Sequence, residues 1–130
     1  REFINTIRGS LPIWNVNGMA EEFLYAVGRY RTEFIESCNQ TRLDCIVLYE
    51  DLMSTDGIEP IQPDANFVLC KLSDPNVSGL EITRKLYLEH NILIKDCAKK
   101  SMPEADRYLR IASRTQEENK KLIAALNLVL

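Results

Sequence analysis

The sequence has one histidine, no CxxC pair and no uninterrupted apolar run longer than a few residues, and each shortage removes a class of function. A structural zinc site needs clustered Cys and His ligands, which the spacing of Cys38, Cys45, Cys70 and Cys97 with a lone His90 does not supply. Cys38 and Cys45 lie seven residues apart in a helical pattern, roughly 10 Å along the axis, too far for an S–S bond. The cysteines are therefore read as buried thiols of a cytoplasmic protein. Crossing a bilayer takes roughly 20 apolar residues, so no membrane partner is expected. There is no excess of positive charge either. The net charge is −3, the pairs Lys99-Lys100 and Lys120-Lys121 stand isolated, and no nucleic-acid partner is expected. Glycine is scarce, five residues with no phosphate-cradling loop, and Ser, Cys and His form no nucleophilic arrangement.

What is present is an ordinary globular composition, 45% apolar and 27% charged, in 130 residues, the length of one domain. The opening "REFINTIRG" has weak helical periodicity closed by Gly9, and "SLPIWNVNG" reads as a loop with a polar-aromatic turn, Trp14 before "NVN". A helix is expected from Met19 to about Tyr30 with Ala20, Phe23, Leu24 and Val27 on one side, and Gly28 marks a possible break. A longer one follows from about Arg31 to Ser54. Phe34, Cys38, Thr41, Cys45, Leu48 and Leu52 recur at intervals of 4, 3, 4, 3 and 4, and Ile35, Ile46, Tyr49 and Met53 widen the stripe to a full core-facing side. "STDGIEP" is a turn cluster.

"ANFVLCKLS" (65–73) is a strand, apolar enough to be covered on both faces, in which Asn66 needs a partner. "GLEITRKLYLEHN" is a helix with Leu80, Ile82, Leu86 and Tyr87 inward, ending on His90, where a cation suits the dipole. "ILIKD" is a short strand with Lys95-Asp96 as a surface pair, and "AKKSMPEAD" a polar excursion. In "DRYLRIASRTQEEN" strand alternation puts Leu109, Ile111 and Ser113 on one face and Tyr108, Arg110, Ala112 and Arg114 on the other. Thr115 with Glu118 is a capping box that opens a last helix with Leu122, Ile123 and Leu126 inward. The order implies an α+β fold, a two-layer sandwich. Its sheet is small, mostly antiparallel and three- to four-stranded, with helices packed on one face.

Arg110 is the residue that asks for an explanation. An arginine in an apolar strand is costly to desolvate unless something anionic meets it. Two readings stay open: a locally paired strand arginine, or a planar fork for a carboxylate or phosphate, with small Ala112 leaving room beside it.

The motifs "LPIWNVNGMAEEFL", "PDANFVLCKL", "NILIKDC" and "YLRIASRTQEENKKLIAAL" occur in this order over essentially the whole chain. Together they resemble the fold-type I pyridoxal-phosphate enzymes, in particular the histidinol-phosphate aminotransferase and threonine-phosphate decarboxylase group. The resemblance implies that residues 1–130 are the small C-terminal domain of a longer aminotransferase. With no initiator Met and an end inside "LIAALNLVL", the chain also looks like a piece of a longer polypeptide. Arg110 stands where that family's "LRI" arginine holds the substrate α-carboxylate. The implied cofactor is pyridoxal phosphate, held by an upstream large domain and not by these residues. None of Lys71, Lys85, Lys95, Lys99, Lys100, Lys120 or Lys121 has the context of the Schiff-base lysine. The implied partners are that large domain, an amino acid or amino-acid phosphate as substrate, and a second copy in a homodimer. The isolated domain is expected to be inactive. Where the family has "GT", this chain has Arg114-Thr115. Arg114 lies roughly 13 Å beyond Arg110 along a strand and is read as a salt-bridge residue rather than a second ligand. The alternative is a non-catalytic α+β binding or regulatory module that offers its open sheet face to a protein.

Overall fold

The computed structural model describes residues 3, 4 and 17–130, so the readings of Gly9 and Trp14 lie outside the described residues. The chain divides into two compact units, Arg1–Glu36 and Ser37–Leu130.

In the first unit, helix α1 (Gly18–Arg29) is capped by Asn17, whose Oδ1 accepts the Ala20 N–H at 3.0 Å. None of its residues is buried, and Phe23 and Leu24, expected on one side of the helix, are 58% and 62% exposed. Phe23 meets the Phe34 ring edge to face at 6.4 Å between centroids. Gly28 is helical, and the break falls at Tyr30.

Helix α2 (Arg31–Met53) has the expected extent, but the expected full-length core stripe is corrected. Only Asp44, Cys45, Leu48 and Leu52 are buried, while Phe34, Ile35, Ile46 and Met53 are exposed. The apolar spacing persists along the helix, whereas Cys45, Leu48 and Leu52 of its later turns join the core with the sheet.

The second unit continues with β1 (Ile58–Ile61), β2 (Phe67–Leu72), helix α3 (Gly79–His90), β3 (Lys95–Asp96), a 3₁₀ turn (Ala105–Arg107), β4 (Tyr108–Ala112) and helix α4 (Gln116–Val129). The four strands form one antiparallel sheet in the order β1-β2-β4-β3. Strand β1 falls where the sequence suggests only a turn, because Glu59 and Pro60 mask it. Pro is tolerated at a sheet edge, where β1 lies. Gly57, at φ 85°, turns the chain from helix into this strand, a conformation that costs other residues.

Strand β2 is not covered on both faces. Val68, Cys70 and Leu72 are buried, while Phe67, Leu69 and Lys71 are half-buried. Val68 and Cys70 pair with Ile111 and Leu109 of β4, and these join one core with Leu48, Ile82, Leu86, Leu122 and Leu126 of the helices. Within this unit the described helices therefore pack on one side of the sheet, as a two-layer α+β sandwich requires.

Helix α3 buries Gly79, Ile82, Thr83 and Leu86, a clean i, i+3, i+4, i+7 face. Leu80 and Tyr87, expected inward, are 60% and 56% exposed. At 100° per residue they lie outside the arc that this face subtends. Its ends are closed by Ser78, which accepts the Glu81 N–H, and by left-handed Asn91, directly after His90.

Helix α4 carries the expected capping box: Thr115 Oγ1 accepts the Glu118 N–H, and Glu118 accepts the Thr115 N–H. Leu122 and Leu126 are buried and Ile123 half-buried, as its periodicity indicates, with Asn119, Ala125 and Val129 adding to the face.

Candidate functional site

The open side of the sheet follows from the same alternation that builds the core. Because Leu109 and Ile111 are fully buried, Arg110 between them must point the other way, and it is exposed. The register sets it in a row across all four strands: Ile61 opposite Leu69, Leu69 opposite Arg110, and Arg110 opposite Lys95. The neighbouring row is Glu59, Lys71 and Tyr108, and on the other flank Phe67 faces Ala112.

The two flanks differ electrostatically. Lys71 Nζ lies 2.7 Å from Glu104 Oε2 and 5.8 Å from the Tyr108 ring centroid. The hydrogen bond between them holds the Lys71 ammonium above its ordinary range and the Glu104 carboxyl below its own. Glu104 also takes the Arg107 guanidinium at 2.7 Å, and Arg107 donates to the Leu72 carbonyl at 2.6 Å and the Ser73 carbonyl at 3.2 Å. Arg107 thus staples the 97–107 excursion to the end of β2, although its buried Nε finds no partner among the described residues. No periodicity in the sequence distinguishes this arginine from a surface charge.

Arg110 is differently placed. Among the described residues no carboxylate pairs with it; the ion pairs are Lys71–Glu104, Lys85–Glu81, Arg107–Glu104, Arg114–Glu118 and Lys121–Glu117. Its guanidinium carbon lies over the Phe67 ring, 5.1 Å from the centroid. Across the strand pair stands a second cation, Lys95, also exposed. The expected Lys95-Asp96 pair does not form, since neighbours on a strand point to opposite faces and Asp96 accepts the Ala98 N–H at 3.1 Å instead. Lys95 is a candidate that the sequence reading passed over, and only the β3–β4 register brings it to Arg110.

Arg114 is not part of this site. Strand β4 stops at Ala112, and Arg114 belongs to the entrance of α4, where its guanidinium meets Glu118 at 3.2 Å and its N–H donates to Asn119 Oδ1 at 2.9 Å. It is the salt-bridge residue that the sequence suggested. Asn66 needs no buried partner, for its side chain is exposed and its carbonyl accepts the Ser113 N–H. A groove of about 850 Å³ runs between residues 90–94 and α4, with Ile92, Ile94, Leu122 and Ala125 in its lining and Arg114 and Lys121 beside them, but neither Arg110 nor Lys95 reaches it.

The described lysines do not make a cradle for pyridoxal phosphate. A Schiff-base lysine must lose its proton in a covered pocket. Lys71, Lys85 and Lys121 are tied to carboxylates, and Lys95, Lys99, Lys100 and Lys120 are exposed. The thiols offer no nucleophile on this face. Burial raises the Cys45 thiol and pushes Cys70 up to about 12, and Cys38, expected to be buried, is exposed on α2. Among the described residues no three His, Cys, Asp or Glu side chains converge as metal ligands, and no helix is long and apolar enough to cross a membrane.

No family model matches the chain. It is 42% identical over 125 residues to the CMP-5'-(3-aminopropyl)phosphonate synthase of Streptomyces rubellomurinus, a match covering 96% of this chain and 20% of that protein. Among solved structures it resembles a decarboxylase from Sulfurospirillum multivorans, with a TM-score of 0.78 and 26% identity over 99% of this chain and 36% of that one. The histidinol-phosphate aminotransferase from Clostridium acetobutylicum is also similar, with a TM-score of 0.74 and 28% identity over 98% of this chain and 37% of that one. The chain spans only 14% to 32% of the length of the curated relatives it matches.

Proposed function

Because this chain belongs to the fold-type I pyridoxal-phosphate-dependent aminotransferase and decarboxylase family, we propose that residues 1–130 are the small domain of such an enzyme, with Arg110 holding the substrate α-carboxylate. The observation that carries this reading is the isolation of Arg110: an exposed guanidinium on the open sheet face with no carboxylate among the described residues to pair it. A planar fork of five donors matches a carboxylate in two parallel hydrogen bonds, and so sets the orientation of an amino acid as well as binding it. The small side chain of Ala112 leaves space for that substrate.

Lys95 directly beside Arg110 supports a substrate with a second anionic group. Two like charges facing one another across a strand pair repel, and an anion between or above them removes the repulsion. Relatives named for histidinol phosphate, L-serine phosphate and an aminopropyl phosphonate share an amine with a phosphate or phosphonate, and among these L-serine phosphate also carries the α-carboxylate. The reaction favoured is transamination. A bidentate grip stabilises the carboxylate charge that decarboxylation would have to discharge, which lowers the ground state without lowering the barrier.

Pyridoxal phosphate supplies the electron sink for either reaction and belongs, on this reading, to a large domain elsewhere in the same polypeptide. These residues then contribute one wall of the cleft, and the parent acts as a homodimer. The isolated domain, mixed with the cofactor, reduced with borohydride and digested, yields no single stoichiometrically labelled lysine.

The decisive measurement uses the full-length polypeptide and two probes, O-phospho-L-serine and O-phosphoethanolamine, which differ only by the α-carboxylate. The parent prefers the first, and Arg110→Lys loses most of that preference and of turnover, because a point ammonium cannot reproduce the fork. An Arg110→Lys parent with undiminished activity and preference would refute the assignment and return the open face to the alternative, a surface for a protein partner.

A further inference from the structure

We propose that Phe67 is a positioning residue for Arg110: its ring fixes the guanidinium so that the edge donors face the substrate carboxylate. The inference rests on the carboxylate-binding reading of Arg110 and adds a second residue to it.

Arg110 could lean either way along β4. Its direct partner on β2 is Leu69, and the diagonal neighbours are Phe67 on one flank and Lys71 on the other. The Lys71 flank is closed, for that ammonium is anchored to Glu104 at 2.7 Å and repels a second cation. The Phe67 flank is open, because the residue opposite Phe67 is Ala112, whose methyl group does not compete for the ring. The guanidinium carbon lies over that ring, 5.1 Å from its centroid.

A guanidinium held over a ring has a specific consequence. The π-face attracts the cation without supplying the paired oxygen acceptors that a carboxylate brings to its five N–H donors. A carboxylate partner would do the opposite and occupy the donors. Phe67 is half-buried in β2, whose alternate residues Val68 and Cys70 are fully buried, so the ring stands on a rigid element rather than a loop. A long flexible side chain is thereby held where a ligand needs it before the ligand arrives.

The test uses the full-length polypeptide loaded with pyridoxal phosphate, with dissociation constants for O-phospho-L-serine and O-phosphoethanolamine read from the cofactor absorbance. Phe67→Leu weakens O-phospho-L-serine by about three- to tenfold, the size of a partly covered cation–π contact, and leaves O-phosphoethanolamine within about twofold. Phe67→Tyr restores the wild-type ratio, since it keeps the ring. Equal weakening of both probes, or no weakening of either, overturns the inference and leaves Phe67 as packing. If Arg110→Leu abolishes the preference for the carboxylate-bearing probe but Phe67→Leu does not, only the positioning role fails. If the parent has no such preference, or Arg110→Leu retains it, the carboxylate reading fails and the inference with it.

Discussion

Lys95 and Arg110 are direct cross-strand partners on the exposed face of the sheet, two cations set opposite one another with no carboxylate among the described residues to separate them. Such an arrangement works against the fold. On the proposed reading this charge serves an anionic substrate rather than stability.

The first prediction tests that strain. Lys95→Glu turns a like pair into an opposite pair and raises the stability of the chain by about 0.5 kcal/mol in urea denaturation, an effect that fades at high salt. Binding of an anionic substrate to the parent weakens in the same variant. Unchanged stability at low salt would mean that the two charges do not interact.

Glu104 is the hub between Lys71 and Arg107, and hydrogen bonds to both hold its carboxyl below the ordinary value of 4.5. A carboxyl depressed by folding stabilises the native state above its unfolded value and loses that contribution as pH falls through the lower, folded value. Wild-type stability should accordingly decline more steeply than that of Glu104→Gln as pH drops from about 5. Parallel pH profiles for the two proteins would show that the hub contributes nothing.

Thr115 closes the first turn of α4 by accepting the Glu118 N–H at 3.3 Å, while Glu118 reaches back to the Thr115 backbone. Thr115→Ala costs about 1 kcal/mol, measured as a shift in the denaturation midpoint at unchanged slope. Thr115→Asn, which keeps a capping acceptor, recovers most of it.

The corrected face of α3 gives a paired test. Leu86 is fully buried, and Leu86→Ala costs about 2–5 kcal/mol by leaving a cavity. Leu80 is 60% exposed, so Leu80→Ala changes the stability of the chain by no more than about 0.5 kcal/mol. Equal losses would restore the wider inward face that the sequence alone suggested.

What the sequence determined by itself was local. Alternation in "YLRIA" decides that Arg110 opposes Leu109 and Ile111, because successive strand side chains must point to opposite faces. Thr115 and Glu118, three residues apart, specify their own cap, and the 4-and-3 spacing from Phe34 to Leu52 specifies one long helix. Only the tertiary structure decided what each face meets. Periodicity says that Cys38 and Leu52 lie on one stripe; it cannot say that Leu52 joins the core with the sheet while Cys38 is exposed. Edge strand β1 was hidden because Pro60 argues against a strand until a neighbour pairs with it. The meeting of Lys95 with Arg110, and of Phe67 with the same guanidinium, is a matter of register between strands far apart in the chain. Register is set by long-range pairing that buries Val68, Cys70, Leu109 and Ile111 together, and a slip of one residue would turn Arg110 into the core.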